Sequence, residues 1–399
     1  MNPTSNEITQ QTSVMTSQSL MAQATEEEKL DDYGTMDFVG ALDQLVSSVC
    51  KEGHLSPMGL MGFNMGIVNF LRNRLRFQDD LKKHPEILDE DVSDPIIITG
   101  LSRTGTTKLQ RIMASDTQTQ KLLTWQCINP APLTTSVNPD PRIAVAKANV
   151  GAFRQAAPDF MSAHSMDAEI PEEDSMLFQA TFESSTEGYF YRAPSYMDWL
   201  WNHRPLNSSY AYFRNLVRYL QWQNGGVQGR PWVLKGTPHL GLLDEVLTAF
   251  PNATIVQCHR NPTAAVPSLC RLVEAGREAR GSEHIDLHEI GEFFGTLCPA
   301  MWERQIEQLG RVKDKANILD VHYNRIRDDA VGVVRDIYER RGMSLSKEGI
   351  KAMTQWEADN PQHSEGRHVY SLERYGLCEQ RIQQSFKTYF DYFPAELTK

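Results

Sequence analysis

Four short apolar runs set the frame of this chain. Ile96-Ile97-Ile98-Thr99, Trp232-Val233-Leu234, Thr254-Ile255-Val256-Gln257 and Ile318-Leu319-Asp320-Val321 are rich in β-branched or aromatic residues and too short for helices, the pattern of buried strands. Each is followed by a segment with helical spacing: Lys108 to Ala114, Leu240 to Phe250, Thr263 to Leu272 and Ala330 to Arg341. Strands alternating with helices predict an α/β fold with a doubly wound parallel sheet, and such sheets bind ligands at the carboxyl ends of their strands.

Before the first strand the period changes. Phe38, Leu42, Leu45 and Val49 recur at helical spacing, and a second run from Ile67 to Leu81 carries Phe70, Leu71, Leu75 and Phe77 among Arg72, Arg74 and Arg76. Residues 33–93 are expected to form a helical cap on the core, and Asp94-Pro95 breaks the chain before the α/β domain of residues 94–399. Residues 1–32 are rich in Ser, Thr, Gln and Asn, with no basic residue before Lys29. They lack the charged start and apolar core of a secretory signal and read as a disordered, solvated leader. Between the first and second strand units, at about 125–230, the chain is loop-rich and aromatic. Tyr189, Phe190, Tyr191, Tyr196, Trp199 and Trp201 belong either to a packed helical insertion or to the wall of an acceptor pocket.

Composition narrows the partners. The 399 residues carry 51 acidic and 40 basic side chains, a net charge of -11, which argues against nucleic acid as a ligand. No apolar stretch is long enough to span a membrane. The six cysteines form no CxxC pair and suit a cytoplasmic protein with reduced thiols. No zinc-type spacing of His and Cys occurs, so no metal is expected.

The chemistry concentrates at the strand ends. Gly100 to Thr107 reads GLSRTGTT. Aligned with GxxxxGK(S/T), it keeps both glycines and the final hydroxyl but has Thr106 at the lysine position. A loop of this kind, opening onto a helix, offers backbone amides to a phosphate group. It lacks the lysine that reaches the outer phosphates of ATP, and Arg103 with Thr104, Thr106 and Thr107 supplies other donors. A second anion site is suggested by His259-Arg260-Asn261-Pro262 with Ser268 farther along the next helix, an arginine and a hydroxyl able to clamp another phosphate. These residues alone describe an α/β protein with two anion sites that is not an ATPase.

In this order, GLSRTGTT, WVLKGTPHL and VQCHRNPTAAVPSL resemble the sulfotransferases that use 3'-phosphoadenosine 5'-phosphosulfate, and specifically their bacterial-type branch, over nearly the whole chain. NRLRFQDDLKKHPEI, HSMDAEIPEED, LQWQNGG and YSLERYGL look like that branch as well. The resemblance implies transfer of a sulfuryl group from that nucleotide to a hydroxyl, or less readily an amine, of a small-molecule acceptor. It assigns Arg103, Thr104, Gly105, Thr106 and Thr107 to the 5'-phosphosulfate, Arg260 and Ser268 to the 3'-phosphate, and Lys235 to the transferred group. An acceptor hydroxyl needs a base. His164 is the first choice and Glu172 and Glu173 are its rivals, while His239 is expected either to approach the transferred group or, preferably, to cap the start of its own helix.

Several positions depart from the pattern. Ser102 stands where relatives often have Pro, Lys108 replaces an apolar residue, and Lys235-Gly236-Thr237 replaces Lys-Ser-Pro. Gln126 lies near the place of a catalytic glutamate found in some relatives. Two other readings stay open: a non-catalytic nucleotide-binding relative, suggested by Gln126, and a P-loop kinase-like phosphotransferase, opposed by Thr106. The aromatic run hints at an apolar or aromatic acceptor, and the overall acidity at a neutral or cationic one.

Overall fold

The computed structural model of the chain describes residues 15–133, 138–202, 207–226, 229–312, 315–361 and 371–398. The first fourteen residues of the expected leader, and Tyr370 of the YSLERYGL motif, lie outside them.

Five parallel strands form one sheet, β1 (Ile96–Gly100), β2 (Gln120–Lys121), β3 (Trp232–Lys235), β4 (Thr254–His259) and β5 (Asn317–His322), in the spatial order β2-β3-β1-β4-β5. The four predicted strands are present. β2 is an addition: a two-residue strand is too short to leave a periodic signal. The register sets Ile98 beside both Lys235 and Val256, Gly100 beside Cys258, and His259 beside His322. The strand ends that carry the motifs are therefore neighbours along one rim.

Residue alternation splits the core between two faces. Ile96, Ile98, Val233 and Val256 pack against α4 (Thr106–Met113), α16 (Ala330–Arg340) and α17 (Lys347–Asp359). Ile97, Leu234 and Ile255 face a larger core built from α11 (Asn207–Gln223), α12 (Leu243–Ala249), α13 (Pro262–Ala279) and α14 (Leu287–Val312). This is the period-2 pattern of a doubly wound sheet, and all five β1 positions are buried. α15 (Tyr323–Asp328) follows β5 directly.

The larger core also takes in the N-terminal helices α1 (Ser17–Glu28), α2 (Val39–Glu52) and α3 (Pro57–Lys83). Helix α1 corrects the expectation of a disordered leader. Leu20 and Ala24 are fully buried, Glu28 pairs with Arg72 and Arg76, and Thr16 caps the first turn. Composition hid this helix because only one of its faces, with Leu20 and Ala24, is apolar. Between β2 and β3 the chain forms α5 (Thr124–Ile128), α6 (Pro141–Ala156), α7 (Pro158–Ala163), α8 (Ser175–Phe178), α9 (Ser185–Phe190) and α10 (Pro194–Asn202) before α11. Among the described residues, no helix is long and apolar enough to cross a membrane.

Candidate active site

The loop after β1 owes its shape to its glycines. At Gly100, φ is +138° and a Cβ would collide with the Cys258 carbonyl of β4. Gly105 has φ +90°, and a Cβ there would press on Ile326 and Tyr323 at 3.3 Å. Gly105 is also the N-cap of α4 and has no side chain to cap it, so the first-turn amides of α4 open onto the rim. Arg103 adopts the left-handed conformation, φ 72°, a strain that persists only when neighbours enforce it. Here Arg260 does so by donating from Nη1 to the Arg103 carbonyl at 2.7 Å.

The Arg103 side chain leaves the loop. Its Nε donates to the Ser268 hydroxyl at 3.2 Å and its Nη1 to the Ala163 carbonyl at 3.0 Å. Arg103 therefore stands with the Arg260–Ser268 pair rather than with the threonines of the loop. The Arg260 guanidinium carbon lies over the Tyr323 ring, 4.2 Å from its centroid. Tyr323 escaped the sequence reading; its signal was its place just past β5, at the same carboxyl rim. The N-terminus of α13, in contrast to that of α4, is closed, since Asn261 Oδ1 accepts from the Thr263 amide at 2.9 Å.

Lys235 ends β3, 1% exposed. Its Nζ donates to Thr107 Oγ1 at 3.3 Å and pairs with Glu173. Glu173 comes from an acidic strap laid across the strand ends, where the Glu172 amide donates to the Leu122 carbonyl and the Asp174 amide to the Lys235 carbonyl, each at 3.0 Å. Three consecutive acids thus meet three different partners. Glu172 Oε1 lies 3.0 Å from His164 Nε2. Glu173 meets Lys235, and Asp174 meets His239 Nε2 at 3.1 Å. Burial pushes the Glu172 carboxyl up, but the charge and hydrogen bond of His164, the Lys235 ammonium and the Glu173 amide outweigh it and hold the group at about 2. Its Oε2 is buried with no hydrogen-bond partner among the described residues, and Glu172 lines a cavity.

His239 is not a helix cap. It lies four residues before α12, 3% exposed, with Nδ1 bonded to the Tyr210 hydroxyl at 2.8 Å. The sequence departures also find local reasons. Ser102 and Thr237 hydrogen-bond to each other at 3.2 Å, so two unusual residues match one another. Gly236 is required because Asp174 and His239 occupy the space of a Cβ. Lys108 turns outward to the Arg327 carbonyl and Glu357. Gln126 Oε1 accepts from the Leu123 amide at 3.0 Å and holds the first turn of α5.

Two cavities meet here. One, about 190 Å³, is lined by Arg103, Gly105, Thr106, Thr107, Lys108, Arg260 and Tyr323. The other, about 390 Å³, is mainly apolar, with Phe153, Phe160, Phe190, Phe294, Met166 and Met176 in its wall. Ser102, His164, Glu173 and Leu272 belong to both. The aromatic run contributes only Tyr189 and Phe190 to the larger cavity. Tyr191 packs on Phe63 with centroids 4.9 Å apart, and Tyr196 is fully buried.

Comparison with known proteins agrees with this architecture. No curated protein matches the sequence. Sulfotransferase STF9 from Mycobacterium avium superposes with a TM-score of 0.87 at 26% identity, over 98% of this chain and 99% of that one. Sulfotransferase STF1 from Mycobacterium tuberculosis H37Rv gives 0.81 at 29% identity, over 95% and 100%. With the family model of the sulfotransferases matching residues 95–347, from β1 through the start of α17, the chain belongs to the sulfotransferase family.

Proposed function

We propose that this chain transfers a sulfuryl group from 3'-phosphoadenosine 5'-phosphosulfate to a hydroxyl of a small, largely apolar acceptor. The observation that carries this reading is the meeting of a small cavity rich in cationic and hydroxyl groups with a larger apolar one, at His164 and Glu173. Gly105, Thr106 and Thr107, with the open first turn of α4, suit the 5'-phosphosulfate, whereas the Thr104 hydroxyl is buried and donates to the Leu101 carbonyl at 2.7 Å. Arg103, Arg260 and Ser268 form one contiguous group that suits the 3'-phosphate. The fit supports the nucleotide as donor, because the loop holds no lysine where ATP would need one, while Lys235 reaches the same place from β3.

His164 is assigned as the base. With Nε2–H donating to Glu172, the Nδ1 lone pair is left to accept a proton. Among the described residues Nδ1 makes no hydrogen bond. The acceptor oxygen forms a bond to sulfur as its proton passes to Nδ1. The bond from sulfur to the bridging phosphate oxygen breaks, and its electron pair stays on the departing 5'-phosphate. Lys235 and Thr107 stabilise that charge, as donors placed where charge develops do in general. Glu172 acts through His164 and is a positioning residue. Glu173 holds Lys235 in line. Gln126, as a buried cap, has a structural duty of its own and gives no ground for a non-catalytic relative.

Calorimetric titration with adenosine 3',5'-bisphosphate tests the donor assignment. Micromolar binding is expected, weakened at least about tenfold in Arg103→Ala and in Arg260→Ala, the loss of one charge-assisted contact. Absence of binding, or full affinity in both variants, overturns it.

A further inference from the structure

The larger cavity contains a charge that its apolar wall does not explain. Arg280 lines it at the C-terminal end of α13, where its guanidinium lies 4.3 Å from the centroid of Phe190, 5.4 Å from Tyr191 and 5.9 Å from Phe160. Nη1 donates to the Gly276 carbonyl at 3.3 Å. Among the described residues, no carboxylate forms an ion pair with it. The nearby acid is Glu187, whose Oε1 accepts from the Gln179 amide. Burial raises the Glu187 carboxyl against the opposing pull of Arg280, and its hydrogen bond goes to Gln179 and not to the guanidinium.

A guanidinium in an aromatic enclosure is held in place by the ring faces and is not neutralised by them. Partly buried charges are ordinarily paired, because leaving one unpaired is costly. The missing partner is supplied most simply by the molecule that fills the cavity, and a guanidinium presents the fork that fits a carboxylate. His164 and Arg280 flank the same ring: the Phe160 centroid is 6.1 Å from the imidazole and 5.9 Å from the guanidinium carbon. The two groups are therefore within about 12 Å of each other, across a wall of Phe, Met and Leu side chains.

We propose that the acceptor is an amphipathic hydroxy acid, with its carboxylate on Arg280, its apolar body against the aromatic wall, and its hydroxyl at His164. This rests on the reading of the larger cavity as the acceptor site. It departs from the neutral or cationic acceptor expected from the overall acidity, because a guanidinium at contact distance outweighs charges scattered beyond a Debye length of about 10 Å.

The test compares decanoate with 1-decanol, two probes of equal chain length that differ at one end, by calorimetric titration of the full chain at neutral pH. Decanoate should bind at least about tenfold more tightly. The preference should fall to about one in Arg280→Met, which keeps the packing stem, and should persist in part in Arg280→Lys. Equal affinity for the two probes in the wild-type protein, no binding of either, or an undiminished preference in Arg280→Met overturns the proposal. The wild-type comparison needs no variant to fold. Because neither probe carries an acceptor hydroxyl beside a carboxylate, the measurement is independent of transfer. Decanoate preference without any sulfuryl transfer would leave the anchor standing and remove the reaction. Nucleotide binding without decanoate preference would do the reverse.

Discussion

His164 and Glu172 form a pair in which one member is almost silent to solvent and the other faces both cavities. The Glu172 carboxyl is held at about 2, below its ordinary 4.5, so its charge favours the folded state. That contribution is complete above about pH 4.5 and is lost as the pH falls toward 2. Urea denaturation of the wild-type protein should therefore lose on the order of 2–3 kcal/mol across that window from this group, and Glu172→Gln should lose correspondingly less. An equal acid slope in the variant would show that the carboxylate is not held low. On the catalytic side, His164→Ala should lower turnover about 10²- to 10⁴-fold with adenosine 3',5'-bisphosphate binding intact. His164→Gly should recover part of the rate with added imidazole, which a purely structural histidine would not allow. Full activity in His164→Ala would move the role of base to Glu173. The candidate trio was legible in the sequence because HSMDAEIPEED puts a histidine and adjacent acids in one segment. Their division of labour was not, since Lys235, which claims Glu173 and leaves Glu172 to His164, lies more than sixty residues away.

At the scale of elements, strand, loop and helix around Gly100 to Met113 were readable because each left a local mark: a β-branched run, two glycines, then a helical period. Gly105 ties that local mark to the tertiary structure, since its left-handed backbone strains any side chain and a Cβ there would press on α15 at 3.3 Å. Gly105→Ala should cost about 1–3 kcal/mol, seen in urea denaturation. It should also weaken binding of adenosine 3',5'-bisphosphate, because the first turn of α4 would be displaced. Stability and affinity both at wild-type levels would mean that the loop relaxes freely. Elements without a local mark were missed or misread. β2 is two residues long, and its pairing with β3 is a property of the sheet. The wall of the larger cavity joins α6, α7, α9 and α14, and no single one of these segments shows that it faces a hollow.

For the whole molecule, the sum of charges and the placement of a few of them give different answers. The net -11 is a sum over the whole chain, whereas the proposed donor site gathers Arg103, Lys235 and Arg260 from the ends of β1, β3 and β4. A nucleotide bound there joins segments about 160 residues apart, so it should stabilise the fold as a whole by mass action. At a hundredfold excess over Kd, adenosine 3',5'-bisphosphate should add about 2.7 kcal/mol to the unfolding free energy. In Arg260→Ala a tenfold weaker affinity should remove about 1.4 kcal/mol of that gain at the same concentration. Leu20→Ala supplies the contrast. Leu20 is buried on α1 and lines neither cavity, so the substitution should cost about 2–4 kcal/mol with and without nucleotide alike, leaving the increment unchanged. Urea unfolding of the three proteins, each with and without nucleotide, separates the cases. An increment preserved in Arg260→Ala would remove the arginine from the donor site, and one lost in Leu20→Ala would mean that the N-terminal helix and the nucleotide site are coupled across the shared core.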